Sequence, residues 1–141
     1  ETGHLVFATL HTTSAALTIN RIIDVFPAEE KDMVRSMLSD SLQAVVTQTL
    51  LRKVGGGRIA AHEIMIGTPA VRNLIREDKV AQIYSVIQTG SSLQMKTLDQ
   101  SLSTLVDEGV ITLETAREKA VSPKHISKDE RNNYSLPEFS K

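Results

Sequence analysis

Residues 4–26 read HLVFATLHTTSAALTINRIIDVF, and this stretch decides the fold class. The run at 4–10 is apolar on both faces, which is typical of a buried strand of the parallel type. A polar cluster at 11–13 follows, and then Ser14, a residue type that commonly caps the start of a helix. Behind the cap, apolar residues recur on one helical face, at Ala15, Ile19, Ile22, Ile23 and Phe26. A strand, a polar turn and a helix in this order predict an α/β fold.

The segment that follows predicts a second helix and a β-hairpin. Pro27 ends the first helix and is well placed to start another over 28–40. Residues 42–54 and 58–66 read as two strands around the triple glycine at 55–57. Glycine supplies the positive φ that a hairpin turn needs, so this segment predicts a hairpin.

After Gly67 the apolar period changes from that of a strand to that of a helix. Four further helices are predicted, the last ending near residue 121, and their N-caps are Thr68, Asp78, Thr97 and Thr112. From residue 122 on the composition is polar, with two prolines, which predicts a loose tail. The sequence therefore predicts an α/β unit (1–67), a small helical subdomain (68–121) and a polar tail (122–141).

The composition fits a globular domain and excludes several classes of protein. Apolar residues make up 40% of the 141 residues and charged residues 23%, both ordinary for a soluble protein. A net charge of -1 gives no whole-chain attraction to nucleic acid, so no nucleic-acid partner is predicted. The absence of Cys excludes disulfides and thiolate metal sites, and no apolar run reaches the roughly 20 residues that span a bilayer.

The first candidate site is the cluster His11, Thr12 and Thr13. In open α/β sheets, ligands bind at the carboxyl ends of strands, and the amides of a helix N-terminus favour phosphate. The cluster lies between a predicted strand and a predicted helix, which suits phosphate binding. Residue types alone favour a simpler interpretation, in which Thr13 or Ser14 caps the helix and His11 is a polar loop residue. His4, at the start of the strand, is more often a half-buried side chain than a ligand.

Three other patterns carry weaker signals. The run at 55–58, GGGR, lacks the Lys and Ser/Thr of a phosphate-binding loop and is predicted to be a turn. The run at 69–77, PAVRNLIRE, predicts a helix whose Val71, Leu74 and Ile75 face inward. It is either an ordinary surface helix or a docking helix. His62 and Glu63 are adjacent on a strand, hence on opposite faces, and make a poor metal pair, so no metal site is predicted.

Two long strings resemble a known family. ETGHLVFATLHTTSA, followed by IIDVFP, resembles the His box of the secretion ATPase superfamily. AHEIMIGTPAVRNLIRED, followed by KVAQIYSVIQTG and MKTLDQSL, resembles the ATPases of that superfamily that retract type IV pili in twitching motility. The resemblance runs from residue 1 to about residue 120, nearly the whole predicted ordered chain.

The resemblance implies the C-terminal part of a RecA-like P-loop ATPase core followed by a helical subdomain. It implies a homo-hexameric motor in the cytoplasm, at the bacterial inner membrane, that binds ATP with Mg²⁺ and contacts a pilus platform protein. His4 and His11 correspond to the two His-box histidines, which link the γ-phosphate to the subunit contacts. The retraction motif corresponds to Ala70, Val71, Arg72, Asn73, Leu74 and Ile75. Two positions depart from the family: Val71, where Ile is usual, and Asn20, where Asp is frequent.

The family's phosphate-binding loop and its Walker B strand have no counterpart in these 141 residues. Phosphoryl transfer depends on the loop Lys, on Mg²⁺ and on a water-orienting carboxylate. We therefore expect the chain to be a piece of a longer ATPase that alone binds ATP poorly and does not hydrolyse it. The alternative is a non-catalytic docking or oligomerisation module of a pilus or secretion machine.

Overall fold

A computed structural model describes residues 3–127 of the chain. Within that range there are six α-helices and one antiparallel pair of strands, which confirms the α/β class. In chain order they are α1 (Ala15–Asp24), α2 (Lys31–Ser41), β1 (Ala44–Arg52), β2 (Arg58–Ile66), α3 (Pro69–Arg76), α4 (Ile83–Thr89), α5 (Leu98–Asp107) and α6 (Leu113–Lys119).

Four of the five predicted N-caps are confirmed by their hydrogen bonds. In each case the side-chain oxygen accepts the backbone N–H three residues later, which satisfies an amide that the helix cannot pair internally. These caps are Ser14, Thr68, Thr97 and Thr112. At Thr97 the side chain of Gln100 bonds back to the cap's own N–H, completing a capping box.

The fifth predicted cap, Asp78, is wrong. This residue adopts a positive φ of 58°. The turn after it, Val80–Gln82, is a 3₁₀-helix with no side-chain cap. The Asp78 carboxylate instead lies 2.6 Å from the Arg35 guanidinium of α2. A long-range ion pair has replaced the local cap that the spacing favoured.

The hairpin is confirmed, with a continuous antiparallel register from Ala44↔Ile66 to Arg52↔Arg58. One face of β1 is covered and the other exposed, in the alternation that the sequence predicts. At the tip, Gly55, Gly56 and Gly57 all have positive φ (83°, 104° and 79°), and this left-handed backbone is where glycine avoids the strain that a Cβ brings.

The predicted strand at 4–10 is wrong. This segment has no strand assignment, and Leu5, Val6 and Phe7 are 77%, 76% and 88% exposed. A parallel strand is stable only when neighbouring strands pair with its backbone. Among residues 3–127 none pairs with it, because β1 and β2 pair only with each other apart from a single bridge between Ile64 and Lys96.

The first residues of the predicted polar tail are packed on the molecule rather than loose. Residues 121–126, called here the C-terminal strap, pack on the molecule and include a 3₁₀ turn, Pro123–His125. Ile126 is 1% exposed, and its carbonyl accepts hydrogen bonds from Arg117 Nε and Nη2 at 3.2 and 3.0 Å. Most of the predicted tail, residues 128–141, lies outside the described residues.

Two apolar cores share the hairpin. The first lies between α1, α3, α4 and one end of the hairpin, and it contains Ile19, Ile23, Val45, Met65, Val71, Ile75, Ile83 and Ile87. The second lies between α5, α6, the strap and the other end, and it contains Leu51, Ala61, Leu98, Leu102, Val106, Ile111, Ala116 and Ile126. Both cores draw residues from either side of position 67, so the division into parts at that position stays a prediction. None of the helices in residues 3–127 is long and apolar enough to cross a membrane.

Candidate functional site

The polar cluster stands at the N-terminal end of α1, as its spacing indicates. His11 and Thr13 are exposed, and Thr12 is half-buried. The Thr12 and Thr18 hydroxyl oxygens lie 2.6 Å apart, and Arg21 Nη1 donates to the His11 carbonyl over 3.3 Å. These two contacts tie the cluster to the first two turns of α1. The cluster is therefore held in place while its imidazole and one hydroxyl face solvent.

Glu63 is a residue of this site that the sequence analysis did not identify. Its side chain points inward from β2 and is 2% exposed, and its Oε1 accepts the backbone N–H of Ala15 over 2.8 Å. A carboxylate at a helix N-terminus is stabilised both by the hydrogen bond and by the helix dipole. The signal in the sequence was a charged residue on the inward face of a strand between Ala61 and Met65, where a charge needs a partner.

Two of the backbone N–H groups at the start of α1 already have acceptors within the protein, which limits how this site can hold an anion. Glu63 takes the Ala15 N–H, and Ser14 Oγ takes the Leu17 N–H. A phosphate here therefore has the His11 imidazole and the Thr13 hydroxyl as donors rather than the first amide of the helix, because Thr18 donates to the Ser14 carbonyl and the Thr12 hydroxyl must donate to Thr18. His11, Thr12 and Thr13 line a groove with Asn20, Arg21 and Asp24, in which the Arg21 guanidinium and the Asp24 carboxylate supply charges of opposite sign.

His4 lies in the exposed segment before this cluster. It is separated from His11 in the sequence by six residues, all but one of them exposed. Both histidines are exposed, and both precede α1 in the sequence. The groove beside α1 is lined by His11 but not by His4.

The predicted retraction motif forms most of α3, and its side chains have different surroundings. Val71 and Ile75 are fully buried in the first core, and Leu74 is half-buried against it. Ala70 and Asn73 are exposed. The inward face is therefore confirmed for the apolar stripe, and only Ala70 and Asn73 are freely exposed to a partner.

Arg72 lies outside the inward-facing stripe of Val71, Leu74 and Ile75, yet it is half-buried rather than open to solvent. Its Nε donates to the Gly67 carbonyl over 2.7 Å, and its Nη1 donates to the carbonyls of Ser39 (2.9 Å) and Asp40. The carbonyls at the C-terminal end of a helix lack partners within the helix and attract cations. Arg72 therefore binds the C-terminal end of α2 to the start of α3.

Two ion pairs reinforce this joint between α2 and α3. Arg76 Nη2 lies 2.7 Å from Asp40 Oδ1, and Arg35 Nη1 lies 2.6 Å from Asp78 Oδ1. The Arg35 side chain is 15% exposed, but Asp78 and both members of the other pair are exposed to solvent, so salt screens both ion pairs. With Arg72, these contacts fasten α2 and α3 at both ends of their shared length.

The residues that the structure describes do not form a magnesium site. Among residues 3–127 no group of three His, Asp or Glu side chains is placed to hold a metal ion. Glu63 Oε1 already accepts the Ala15 N–H. His62, the preceding residue of β2, is half-buried, and its backbone N–H donates to Ser101 Oγ over 3.2 Å. Imidazole and hydroxyl groups at 11–13 suit phosphate oxygens, whereas a hard cation requires carboxylates that this cluster lacks.

A second polar site, also absent from the sequence analysis, lies between α4, α5 and the strap. Asp99 Oδ1 and Oδ2 accept the N–H groups of Val121 and Ser122 over 2.7 and 2.8 Å, and these bonds anchor the strap. Tyr84 and His125 line the adjoining pocket. Burial raises the pKa of Tyr84 and the charge of Asp99 adds to the rise, while a hydrogen bond with Thr97 opposes it.

Comparison with known proteins identifies relatives over nearly the whole chain. The family described as type II/IV secretion system protein matches residues 1–118. The chain is 73% identical over 126 residues to the type IV pilus retraction ATPase PilT of Pseudomonas aeruginosa, covering 89% of this chain and 37% of that protein. It is 61% identical over 128 residues to a twitching motility protein of Neisseria gonorrhoeae, covering 90% of this chain and 34% of that protein.

A solved structure shares the fold. The crystal structure of the pilus retraction motor PilT with bound ADP superposes with a TM-score of 0.78 at 50% identity. The match covers 88% of this chain and 34% of that one. The chain thus spans about a third of the length of the relatives it matches.

Proposed function

The chain belongs to the type II/IV secretion system protein family, and on that premise we propose that it forms part of an ATP-driven motor that retracts type IV pili. The observation that carries the proposal is the identity of 73% to a pilus retraction ATPase over 89% of the chain. Identity at this level over a continuous segment supports the same role for the corresponding part of the longer protein. Within that role, the residues divide into a nucleotide-facing group and a transmitting group.

The nucleotide-facing group is the cluster at the start of α1. The His11 imidazole and the Thr13 hydroxyl donate to the terminal phosphate of ATP, Thr12 positions them through its hydrogen bond to Thr18, and His4 serves the subunit contact beside it. Support comes from the exposure of His11 and Thr13 and from Arg21, whose bond to the His11 carbonyl places positive charge at the groove. The crystal structure of the related retraction motor with bound ADP also supports a nucleotide as the ligand.

The transmitting group begins at Glu63. Its bond to Ala15 couples the head of α1 to β2, and β2 leads within a few residues into α3 at Pro69. A shift of α1 on loss of the terminal phosphate therefore reaches α3 through a buried hydrogen bond and one strand end. Glu63 acts here as a positioning residue, because it contacts α1 rather than the nucleotide.

The joint at Arg72 makes α2 and α3 move together. A rotation of α3 carries α2 with it, since two bonds from Arg72 to carbonyls of α2 and two ion pairs connect α2 with α3 and the turn after it. The exposed side chains Ala70 and Asn73 are then the part of the retraction motif that contacts the pilus platform, while Val71 and Ile75 hold the helix on the core.

The assembly that this motor requires is part of the same proposal. We place it as a homo-hexameric ring in the cytoplasm, at the inner membrane, with ATP and Mg²⁺ held mainly by segments of the longer protein outside these 141 residues. The sequence supports this distribution, because it contains no Gly-x-x-x-x-Gly-Lys-Ser/Thr loop.

A matched pair of substitutions in the longer protein tests the role of α3. Ala70→Glu adds a charge to the exposed motif surface, and Ala81→Glu makes the same change at an exposed position outside the motif. We expect Ala70→Glu to abolish pilus retraction while ATP hydrolysis stays near the unmodified rate, and Ala81→Glu to leave both unchanged. Parallel loss of hydrolysis and retraction in Ala70→Glu would remove the transmitting role.

Titration of the 141-residue chain with a non-hydrolysable ATP analogue tests whether nucleotide is held mainly by segments of the longer protein outside these residues. Calorimetry is expected to detect little or no binding, with no hydrolysis, because the phosphate loop is outside this chain. Saturable binding that weakens on His11→Ala would instead assign the affinity to the cluster at 11–13 and overturn this part of the proposal. A stable non-catalytic ring of the chain alone would favour a docking or oligomerisation module.

A further inference from the structure

Helix α2 has an exposed apolar stripe that the motor role does not use. Its inward face packs Val34 and Leu38 against the first core. Met33 and Met37, which are one turn apart on a different face, are 57% and 42% exposed. An apolar pair at i, i+4 spacing on solvent is the arrangement with which one helix packs against another.

The charge around this stripe is negative, and among the described residues it is compensated at one of its four carboxylates. Four exposed acidic residues flank it, namely Glu29, Glu30, Asp32 and Asp40. The two cations of α2 are both engaged by carboxylates elsewhere, since Lys31 pairs with Asp24 and Arg35 with Asp78, at 2.7 and 2.6 Å. Among the rim carboxylates in the described structure, only Asp40 has a cationic partner, which is Arg76.

We propose that the stripe of Met33 and Met37 with its acidic rim is a docking surface for a basic amphipathic helix of another protein. The flexible, polarisable side chain of Met adapts to apolar partners of different shape. The rim selects Lys and Arg on either side of the partner's apolar stripe, because like charges there would repel. The recognition mode is that of an amphipathic helix laid along an apolar helix face.

The joint with α3 gives this surface a fixed position. Asp40 belongs to both the rim and the α2–α3 joint, so the docking surface moves with α3. The inference stands independently of the pilus-retraction role, because it rests only on the exposure and charge of α2. The contact is small, so the complex is weak and sensitive to salt.

A model peptide tests the proposal with the 141-residue chain. The probe is a fluorescent synthetic helix of about 18 residues with Leu on one face and Lys on the other, matched by a peptide with Glu in place of Lys. We expect saturable binding of the Lys peptide only, weakening at high salt, with backbone amide shifts in NMR confined to α2 and its neighbours.

Two double variants locate the site. Met33→Gln with Met37→Gln is expected to weaken the Lys peptide about tenfold, because Gln keeps the helix but loses the apolar contact. Leu93→Gln with Val54→Gln, at two other exposed apolar positions, is expected to bind as the unmodified chain does. Urea unfolding of each variant checks that folding is unchanged, and a Met variant that unfolds earlier is replaced by Met33→Lys, which puts a positive charge on the exposed stripe and is expected to weaken binding of the Lys peptide.

Four outcomes would overturn the proposal. One is equal binding of the Lys and Glu peptides, and another is unchanged binding by the Met variant. A third is a change in the mass of the chain in solution on substituting the Met residues, which would assign the stripe to a second copy. The fourth is loss of peptide binding in the longer protein, which would show that another segment of the same protein covers the stripe.

Discussion

At the scale of single residues, the start of α1 depends on a carboxylate that lies 48 positions away in the sequence. We predict that Glu63→Leu lowers the free energy of unfolding by about 1–3 kcal/mol, because the buried N–H of Ala15 loses its acceptor. Glu63→Gln keeps a carbonyl oxygen of the same size and should lose less. Urea denaturation of the two variants measures the difference, and equal losses would mean that the charge rather than the hydrogen bond stabilises this end of α1.

Tyr84 gives a prediction about alkaline pH. Burial and the charge of Asp99 raise the pKa of Tyr84 above its ordinary value of 10.0, so the folded state holds the phenol proton more tightly than the unfolded state does. Its contribution to stability is complete below about pH 10 and is lost as pH rises through the folded pKa. We expect the unfolding free energy of the unmodified chain to fall faster than that of Tyr84→Phe from pH 9 to pH 11. If the unfolding free energies of the two proteins fall in parallel over this pH range, the prediction is wrong.

At this scale, a hydrogen bond can be predicted from the sequence when its two residues are close together along the chain. The caps at Ser14, Thr68 and Thr97 are local, since each hydrogen bond spans three residues, and the residue type at one position is enough to expect it. The contacts of Glu63 with Ala15 and of Arg72 with Ser39 join residues brought together only by folding. No local pattern distinguishes them from ordinary polar positions, so the sequence analysis predicted neither contact.

At the scale of elements, the start of the strap is held by one side chain of α5, while Arg117 and the burial of Ile126 hold its end. We predict that Asp99→Asn loosens residues 121 and 122, because an amide has one acceptor oxygen where the carboxylate presents two to the adjacent N–H groups of Val121 and Ser122. Hydrogen exchange at these two amides should accelerate. Glu108→Gln, the equivalent change at an exposed position after the same helix, serves as the control, and equal acceleration in both variants would exclude an anchoring role.

The hairpin and the segment at 4–10 show why elements differ in predictability. β1 and β2 are adjacent in the chain, and the turn at 55–57 fixes their register, so pairing follows from local sequence. The apolar run at 4–10 has the composition of a strand but no neighbour among the described residues. Composition can therefore identify a segment that prefers an extended backbone, whereas pairing decides whether it becomes a strand.

At the scale of the whole molecule, the two cores are coupled through the hairpin. Leu102 is fully buried in the second core, and we predict that Leu102→Ala lowers stability by about 2–5 kcal/mol through the cavity it leaves. Because β1 and β2 pass through both cores, protection from hydrogen exchange at Ile19 and Ile83 in the first core should fall by the same amount. Unchanged protection there would mean that the cores unfold separately.

The same coupling bears on the predicted division of the chain. The sequence analysis correctly predicted the fold class and the order of hairpin and helices. It could do so because the spacing of apolar residues changes from that of a strand to that of a helix at Gly67. It had no means of predicting that Val71 and Ile75, after that point, pack with Ile19 and Val45, before it. Apolar stripes indicate which face is buried, but they do not say against which other stripe.

The glycine tip of the hairpin limits how this chain can vary over evolutionary time. Exposed turns are usually where substitutions accumulate, because a new side chain meets only water. At 55–57 a new Cβ would also meet nothing within 4 Å, yet each residue occupies a φ that side chains disfavour. Every amino-acid replacement of a glycine introduces a Cβ and therefore meets this strain. This surface position should therefore accept fewer replacements than its exposure suggests, and drift in this region should concentrate in the residues beside it.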